Sequence, residues 1–247
     1  MRAADQQTPR GTVTASGPTG SAAVAAGSTA AVDAAVETLR LGGNAVDAAL
    51  AAGFAAAMSE PALTSLGGGG FLLHAAPGQD PQVLDFFCNV PGLDGGSVQP
   101  HVDTIVVDFA KAGPAASASE QVFHGGWGTV AVPGCFTGYL DAHRRWGRIE
   151  LADVVAPAAR LAREGVTLEP MQMRFLHLVA DLLAITPESL DAFAAAQASG
   201  RYVNAAFADL LDAVGTGAIT GADDDAFAEP LLAGSRHGGG LLTRRDL

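Results

Sequence analysis

Leu39-Arg-Leu-Gly-Gly-Asn-Ala-Val-Asp-Ala-Ala-Leu50 joins a helix end, a glycine corner and a new helix start. Gly42 and Gly43 are free to end one helix in the left-handed region, a conformation that a side chain with a Cβ resists. Asn44 is a residue type that caps the next helix, and Asp47, three residues on, supplies an imperfect capping box. On the N-terminal side of the corner, Val32, Val36 and Leu39 recur at spacings of four and three. On the other side Val46, Leu50, Phe54 and Met58 recur every four residues until Pro61. The spacing predicts two consecutive helices, the first capped by Ser28, lying side by side with alanines between the larger residues.

From that helix pair the reading extends both ways. Residues 1–18 are polar and punctuated by Gly and Pro, as expected of a flexible N-terminal arm, and 22–26 form a short apolar run suited to a buried strand. The four glycines 67–70 read as a loop running into a strand at 71–76. A phosphate cradle is the alternative, but such loops precede a helix and are followed by Lys-Ser/Thr, and neither holds here. Residues 83–87 are the paired strand across a turn at 75–81, 104–109 a third strand, 112–121 a small-residue loop and 129–132 a last strand. After Gly134 helical spacing dominates: 137–146, 151–163 with a bend at Pro157, 170–183, 188–198 and 202–214. The acidic run 223–225 reads as a helix start, and Pro230 interrupts a weak final helix. No internal repeat or linker divides residues 19–247, so one continuous domain of α+β class with a helix-rich C-terminal half is expected.

Of the 247 residues 49% are hydrophobic and 16% charged, with 31 glycines, the composition of a packed globular chain. The formal charge of −12, with Lys111 the single lysine, argues against a nucleic-acid partner. The alanine-rich stretch 45–58 contains Asp47 and is shorter than the roughly 20 residues a bilayer demands, so no membrane span is expected. The first residues lack the apolar core of a secretory signal, and cytoplasmic residence is the default. Cys88 and Cys135 are too few for a disulfide framework and read as small hydrophobes. A catalytic cysteine would need a base, yet the scattered histidines nominate none, nor do they suggest a metal site. No cofactor is expected.

Several blocks then gain weight from their order: the 39–50 corner, Leu66-Gly-Gly-Gly-Gly-Phe71, Asp85-Phe-Phe-Cys-Asn-Val-Pro91, Trp127-Gly-Thr-Val-Ala-Val-Pro-Gly134, Pro157-Ala-Ala-Arg-Leu-Ala-Arg-Glu-Gly165 and Gly238-Gly-Gly-Leu-Leu-Thr-Arg-Arg-Asp-Leu247. Together they resemble the N-terminal, large-subunit region of the gamma-glutamyltransferase family. The resemblance implies an N-terminal-nucleophile hydrolase: a precursor that cuts itself and exposes a Thr at the head of a small subunit, within a four-layer αββα sandwich built from both parts. It therefore implies a Thr-led small subunit as partner and a small-molecule amide or peptide as substrate. The family's Thr-Thr-His and Pro-Ser-Ser-Gly-Gly contexts do not occur in this sequence, so no catalytic residue is expected in it. The family precursor continues past the last block, and a truncated product, a fragment and a trimmed large subunit all fit a sequence reaching Leu247.

The same resemblance singles out two substrate-binding positions. Glutamyl-transferring members carry Arg and Glu where this sequence has Phe87 and Cys88. A guanidinium is the natural partner of a donor's α-carboxylate, and losing the cation from such a pair costs about 2–5 kcal/mol. An apolar or amide-linked acyl donor is the expectation. Two other readings remain beside it: a non-catalytic fragment or pseudoenzyme that keeps the fold for binding, and an unrelated binding module.

Overall fold

The computed structural model describes residues 12–17, 20–94, 99–112 and 120–247. In chain order its elements are β1 (Thr12–Gly17), β2 (Gly20–Ala25), α1 (Thr29–Arg40), α2 (Ala45–Ser59), β3 (Gly70–His74), β4 (Gln82–Phe86), β5 (Asp103–Asp108) and β6 (Glu120–Gly125). There follow α3 (Cys135–Trp146), α4 (Leu151–Glu164), β7 (Val166–Thr167), α5 (Pro170–Leu178), α6 (Ala180–Leu183), α7 (Pro187–Ser199), β8 (Arg201–Tyr202), α8 (Ala205–Gly215) and α9 (Asp225–Gly238). Among the described residues the strands pair only as antiparallel hairpins, β1 with β2, β3 with β4, β5 with β6 and β7 with β8.

The expected helix corner is present and tighter than its sequence required. Ser28 caps α1 by accepting from the Ala31 amide at 3.3 Å. Gly42 takes φ 98°, while Gly43 is demanded by space: a Cβ there would lie 2.9 Å from the Thr38 carbonyl. Asn44 Oδ1 accepts from the amides of Val46 at 2.8 Å and Asp47 at 3.0 Å, and Asp47 Oδ2 accepts from the Asn44 amide at 2.8 Å, completing the box. Asp47 is fully buried. It also accepts from the Arg148 amide at 3.1 Å, and Asn44 Nδ2 donates to the Trp146 carbonyl at 2.6 Å, so the start of α2 is bonded to the turn between α3 and α4.

From that anchorage α2 runs through the centre of the main core. Val46, Leu50, Phe54 and Met58 are all buried, and Ala48, Ala51 and Ala55 are buried as well, which is why the helix needs small residues around its larger ones. Phe136 and Leu140 of α3, Val154, Val155 and Ala158 of α4, and Leu211 and Val214 of α8 fill the space around it. A second cluster, with Leu176 of α5, Ala196 of α7 and Tyr202 of β8, closes the far end.

Elsewhere the structure corrects the sequence reading. Of the arm expected over residues 1–18, residues 12–17 form β1, and residues 1–11 and 18 lie outside the described residues. The strand expected to be buried at 22–26 is half-exposed, its residues alternating between partial and full exposure. Strand β6 occupies part of the expected loop at 112–121, of which 113–119 lie outside the described residues, and the strand expected at 129–132 is a 3-10 turn, Trp127–Thr129, followed by a single bridge from Val132 to Asn89. The helix expected over 170–183 divides at Val179 into α5 and α6. Helix α9 runs unbroken through Pro230, because Pro230 and Ala226 lie on its exposed side, where the carbonyl orphaned by the missing N–H meets water. No helix of the described residues is long and apolar enough to cross a membrane.

The last turn is tied back to the middle of the chain. Asp246 accepts from the amides of Gly92 at 3.0 Å, Leu93 at 3.0 Å and Thr243 at 2.7 Å, and from the Thr243 hydroxyl at 2.7 Å. Burial pushes its carboxyl up, but the hydrogen bonds outweigh that and hold it below the ordinary aspartate range.

Two stability effects are expected. Asp47→Ala leaves the Asn44 and Arg148 amides without their acceptor and should cost about 3 kcal/mol in urea unfolding, against about 1 kcal/mol for Asn44→Ala. If both variants unfold with the parent, the corner is not the anchor described. For Asp246 the depressed folded-state value means that its stabilisation is present above the ordinary aspartate pKa and disappears as pH falls through the folded value. Asp246→Asn should therefore unfold earlier than the parent near about pH 7 and together with it near about pH 2.

Candidate functional site

The site grows from three backbones that meet without side chains between them. The Gly68 carbonyl accepts from the amides of Gly134 at 2.9 Å and Cys135 at 2.7 Å, so the glycine loop before β3 holds the first turn of α3. A Cβ on Gly69 would collide with the Cys88 backbone, and one on Gly134 with the Phe86 carbonyl. One turn into α3, Gly138 leaves room for the Phe86 ring, which stands edge-on to Tyr139 at 5.8 Å. The four-glycine loop thus serves close packing beside the site, as the loop reading expected.

Strand alternation decides what β4 presents. Leu84 and Phe86 turn toward the helices, and Asp85 and Phe87 turn away from them. In the β3–β4 register Phe71 lies opposite Asp85 and Leu72 opposite Leu84. The Phe71 and Phe87 rings stack at 5.6 Å with planes 16° apart, and both are exposed, 63% and 60%. Next to them opens a cleft of about 820 Å³, walled by the end of β4 through Asn89, by residues 132–134, by the Thr137–Asp141 face of α3 with Arg144, and by Asp246 and Leu247.

Both residues expected to bind substrate, Phe87 and Cys88, line this cleft. Phe71, Asp141, Arg144 and Asp246 line it too and were not anticipated. The hairpin register could have found Phe71, since residues opposite one another on a strand pair share a face. The others come from distant parts of the chain with no local signal.

The polar groups of the cleft are mostly engaged. Asp141 pairs with Arg145 at 2.8 Å, Asp246 holds the backbone as described, and Asp85 Oδ1 accepts from the Phe87 amide at 2.9 Å. Arg144 Nη1 donates to the Thr220 carbonyl at 3.3 Å. Cys88 Sγ is half-buried and 3.9 Å from the Gly67 carbonyl, and no histidine lines the cleft to serve as its base. Cys135 is buried, and desolvation raises its thiol above the ordinary range against the lowering effect of its bond to Tyr139, which suits a packing role. Among the described residues no group of three His, Cys, Asp or Glu side chains is placed to hold a metal. The arrangement assembles no nucleophile with a base.

Known proteins match this chain over most of its length. The family model for gamma-glutamyltranspeptidase matches residues 31–247. A glutathione hydrolase proenzyme from Pseudomonas sp. (strain A14) is 29% identical over 220 residues, covering 86% of this chain and 36% of the relative. An acylase ACY 1 proenzyme from Pseudomonas sp. (strain SE83) is 32% identical over 135 residues, 54% of this chain and 23% of the relative. Among solved structures, a gamma-glutamyltranspeptidase from Pseudomonas nitroreducens complexed with L-DON superposes with a TM-score of 0.72 and 26% identity, over 90% of this chain and 63% of that one. The chain thus spans about a third or less of the length of the curated relatives it matches, and it has the fold of the N-terminal-nucleophile hydrolases. The match of the family model to residues 31–247, together with the overall likeness to a solved member, shows that the chain belongs to the gamma-glutamyltranspeptidase family.

Proposed function

We propose that this chain forms the large-subunit side of a gamma-glutamyltranspeptidase-like amidohydrolase or acyltransferase and supplies one wall of its acyl-donor cleft. The observation that carries the reading is Phe87. The position at which the resemblance expects Arg in glutamyl-transferring relatives lies in the cleft, exposed and stacked on Phe71, and offers apolar surface in place of a cation for a carboxylate. A buried or half-buried carboxylate placed against that surface would lose hydration without a compensating partner. The cleft therefore suits a donor without an α-carboxylate.

In the assembled enzyme a Thr hydroxyl at the head of the small subunit attacks the donor's amide carbonyl, and the Thr α-amine takes the hydroxyl proton. Backbone amides hold the oxyanion; as it collapses the amide C–N bond breaks, the α-ammonium returns its proton to the departing amine, and water or an acceptor amine then takes the acyl group from the Thr oxygen. The role of the present chain is to position the donor. Beyond the cleft the same hairpin face exposes Leu73 and Val83, and among the described residues its strands pair only with each other, which offers apolar surface and strand edges for the rest of the sandwich to cover.

The test compares the chain alone with the chain assembled with a Thr-led small subunit, on a glutamyl anilide and its analogue lacking the α-carboxylate. The chain alone should be silent, and the assembly should turn over the analogue at least as well as the glutamyl donor. Phe87→Arg should shift preference toward the glutamyl donor by about tenfold. Turnover by the chain alone that Cys88→Ala removes, an assembly inactive on every amide, or a parent that strongly favours the glutamyl donor would each contradict the reading.

A further inference from the structure

Within the cleft one carboxylate is unlike the others. Asp141 is neutralised by Arg145, and Asp246 is spent on backbone amides. Asp85 has one oxygen on the Phe87 amide, and among the described residues its second oxygen has no partner and no cation pairs with it. Its surroundings are aromatic. Phe71 stands directly across the hairpin from it, Phe87 lies two residues along on the same face, and the two rings are stacked and exposed. The arginine that lines the cleft, Arg144, projects from α3 and bonds the Thr220 carbonyl.

We propose that Asp85, with the Phe71–Phe87 pair, is an ammonium-recognition site, and that the donors of this cleft are acyl groups carrying an ammonium without a neighbouring carboxylate. The inference rests on the reading of the cleft as the acyl-donor wall and names the class of donor. A carboxylate with a free oxygen attracts a cation, and ring faces beside it add cation–π attraction while packing the methylenes that carry the charge. A donor carboxylate at the same place would meet Asp85 as a like charge and find no guanidinium at position 87 to offset it. Phe in place of Arg at position 87 and the unneutralised Asp85 two residues earlier thus select in the same direction.

Three anilides of similar length separate the possibilities: 4-aminobutyranilide, which is cationic, butyranilide, which is neutral, and succinanilate, which is anionic. Binding of each to the 247-residue chain is followed by ligand-observed NMR titration. The cationic probe should bind about fivefold more tightly than the neutral one, and the anionic probe more weakly than either. Asp85→Asn should abolish the difference between cationic and neutral probes, and Phe71→Ala should weaken the cationic probe while Arg144→Gln leaves it unchanged. Because Asp85 also accepts from the Phe87 amide, the parent supplies an independent readout: raising NaCl from about 50 mM to about 500 mM should weaken the cationic probe and not the neutral one. Tighter binding of succinanilate, lost in Arg144→Gln, would show an anion site instead and overturn the proposal, as would equal binding of cationic and neutral probes or no binding at all. Since the readout is binding to the chain itself, a chain without ammonium preference whose assembly still cleaves amides contradicts this inference alone.

Discussion

A single buried carboxylate sets the frame on which the rest depends. Asp47 is enclosed within the protein, and its oxygens are taken up by the Asn44 amide on one side and the Arg148 amide on the other. The first bond completes the cap of α2, and the second reaches across to the turn between α3 and α4. Removing such an acceptor from a closed site strands two donors as well as a cap, so these helices are fixed relative to one another by hydrogen bonds as much as by packing. His143 lends a further tie by hydrogen-bonding the Ile149 carbonyl at 2.9 Å through Nε2, closing the same turn.

From this frame the geometry passes to the cleft by steps in which a side chain has no room. Once α3 is placed, its first turn is held by the Gly68 carbonyl, and Gly134 and Gly138 let β4 lie against it. That contact fixes which face of β4 is outward, and strand alternation then sends Asp85 and Phe87 to the cleft while Leu84 and Phe86 complete the core. The contribution proposed for the chain is accordingly positional: an aromatic and acidic wall, with the attacking group proposed to come from the remainder of the enzyme.

The corner, the two central helices and the β3–β4 hairpin were legible in the sequence because each is specified locally, by cap residues, by period and by turn composition. β6 was not legible, since Glu120-Gln-Val-Phe-His-Gly125 has little apolar alternation and becomes a strand through pairing with β5, Val106 opposite Val122. Residues 129–132 misled for the opposite reason: they are apolar, but the flat packing of Trp127 on Gly234 and Gly238 makes the preceding segment a turn. In α9 Pro230 is tolerated because the carbonyl it orphans lies on the exposed side of the helix, which sequence alone did not reveal. At the site, Phe87 and Cys88 could be named from resemblance to relatives. Phe71 needed the strand register, and Arg144 and Asp246 needed the three-dimensional fold, because nothing near them in sequence marks them as neighbours of position 87.

The central claim, that this chain orients an acyl group which another part of the enzyme attacks, is tested most directly by locating the acyl group itself. The chain is assembled with a Thr-led small subunit, incubated briefly with an activated acyl amide, quenched in acid and mapped by peptide mass spectrometry. The account predicts the acyl mass on the N-terminal Thr of the small subunit and none on the chain described here. Acylation of Cys88, or of any other residue between Thr12 and Leu247, would contradict it.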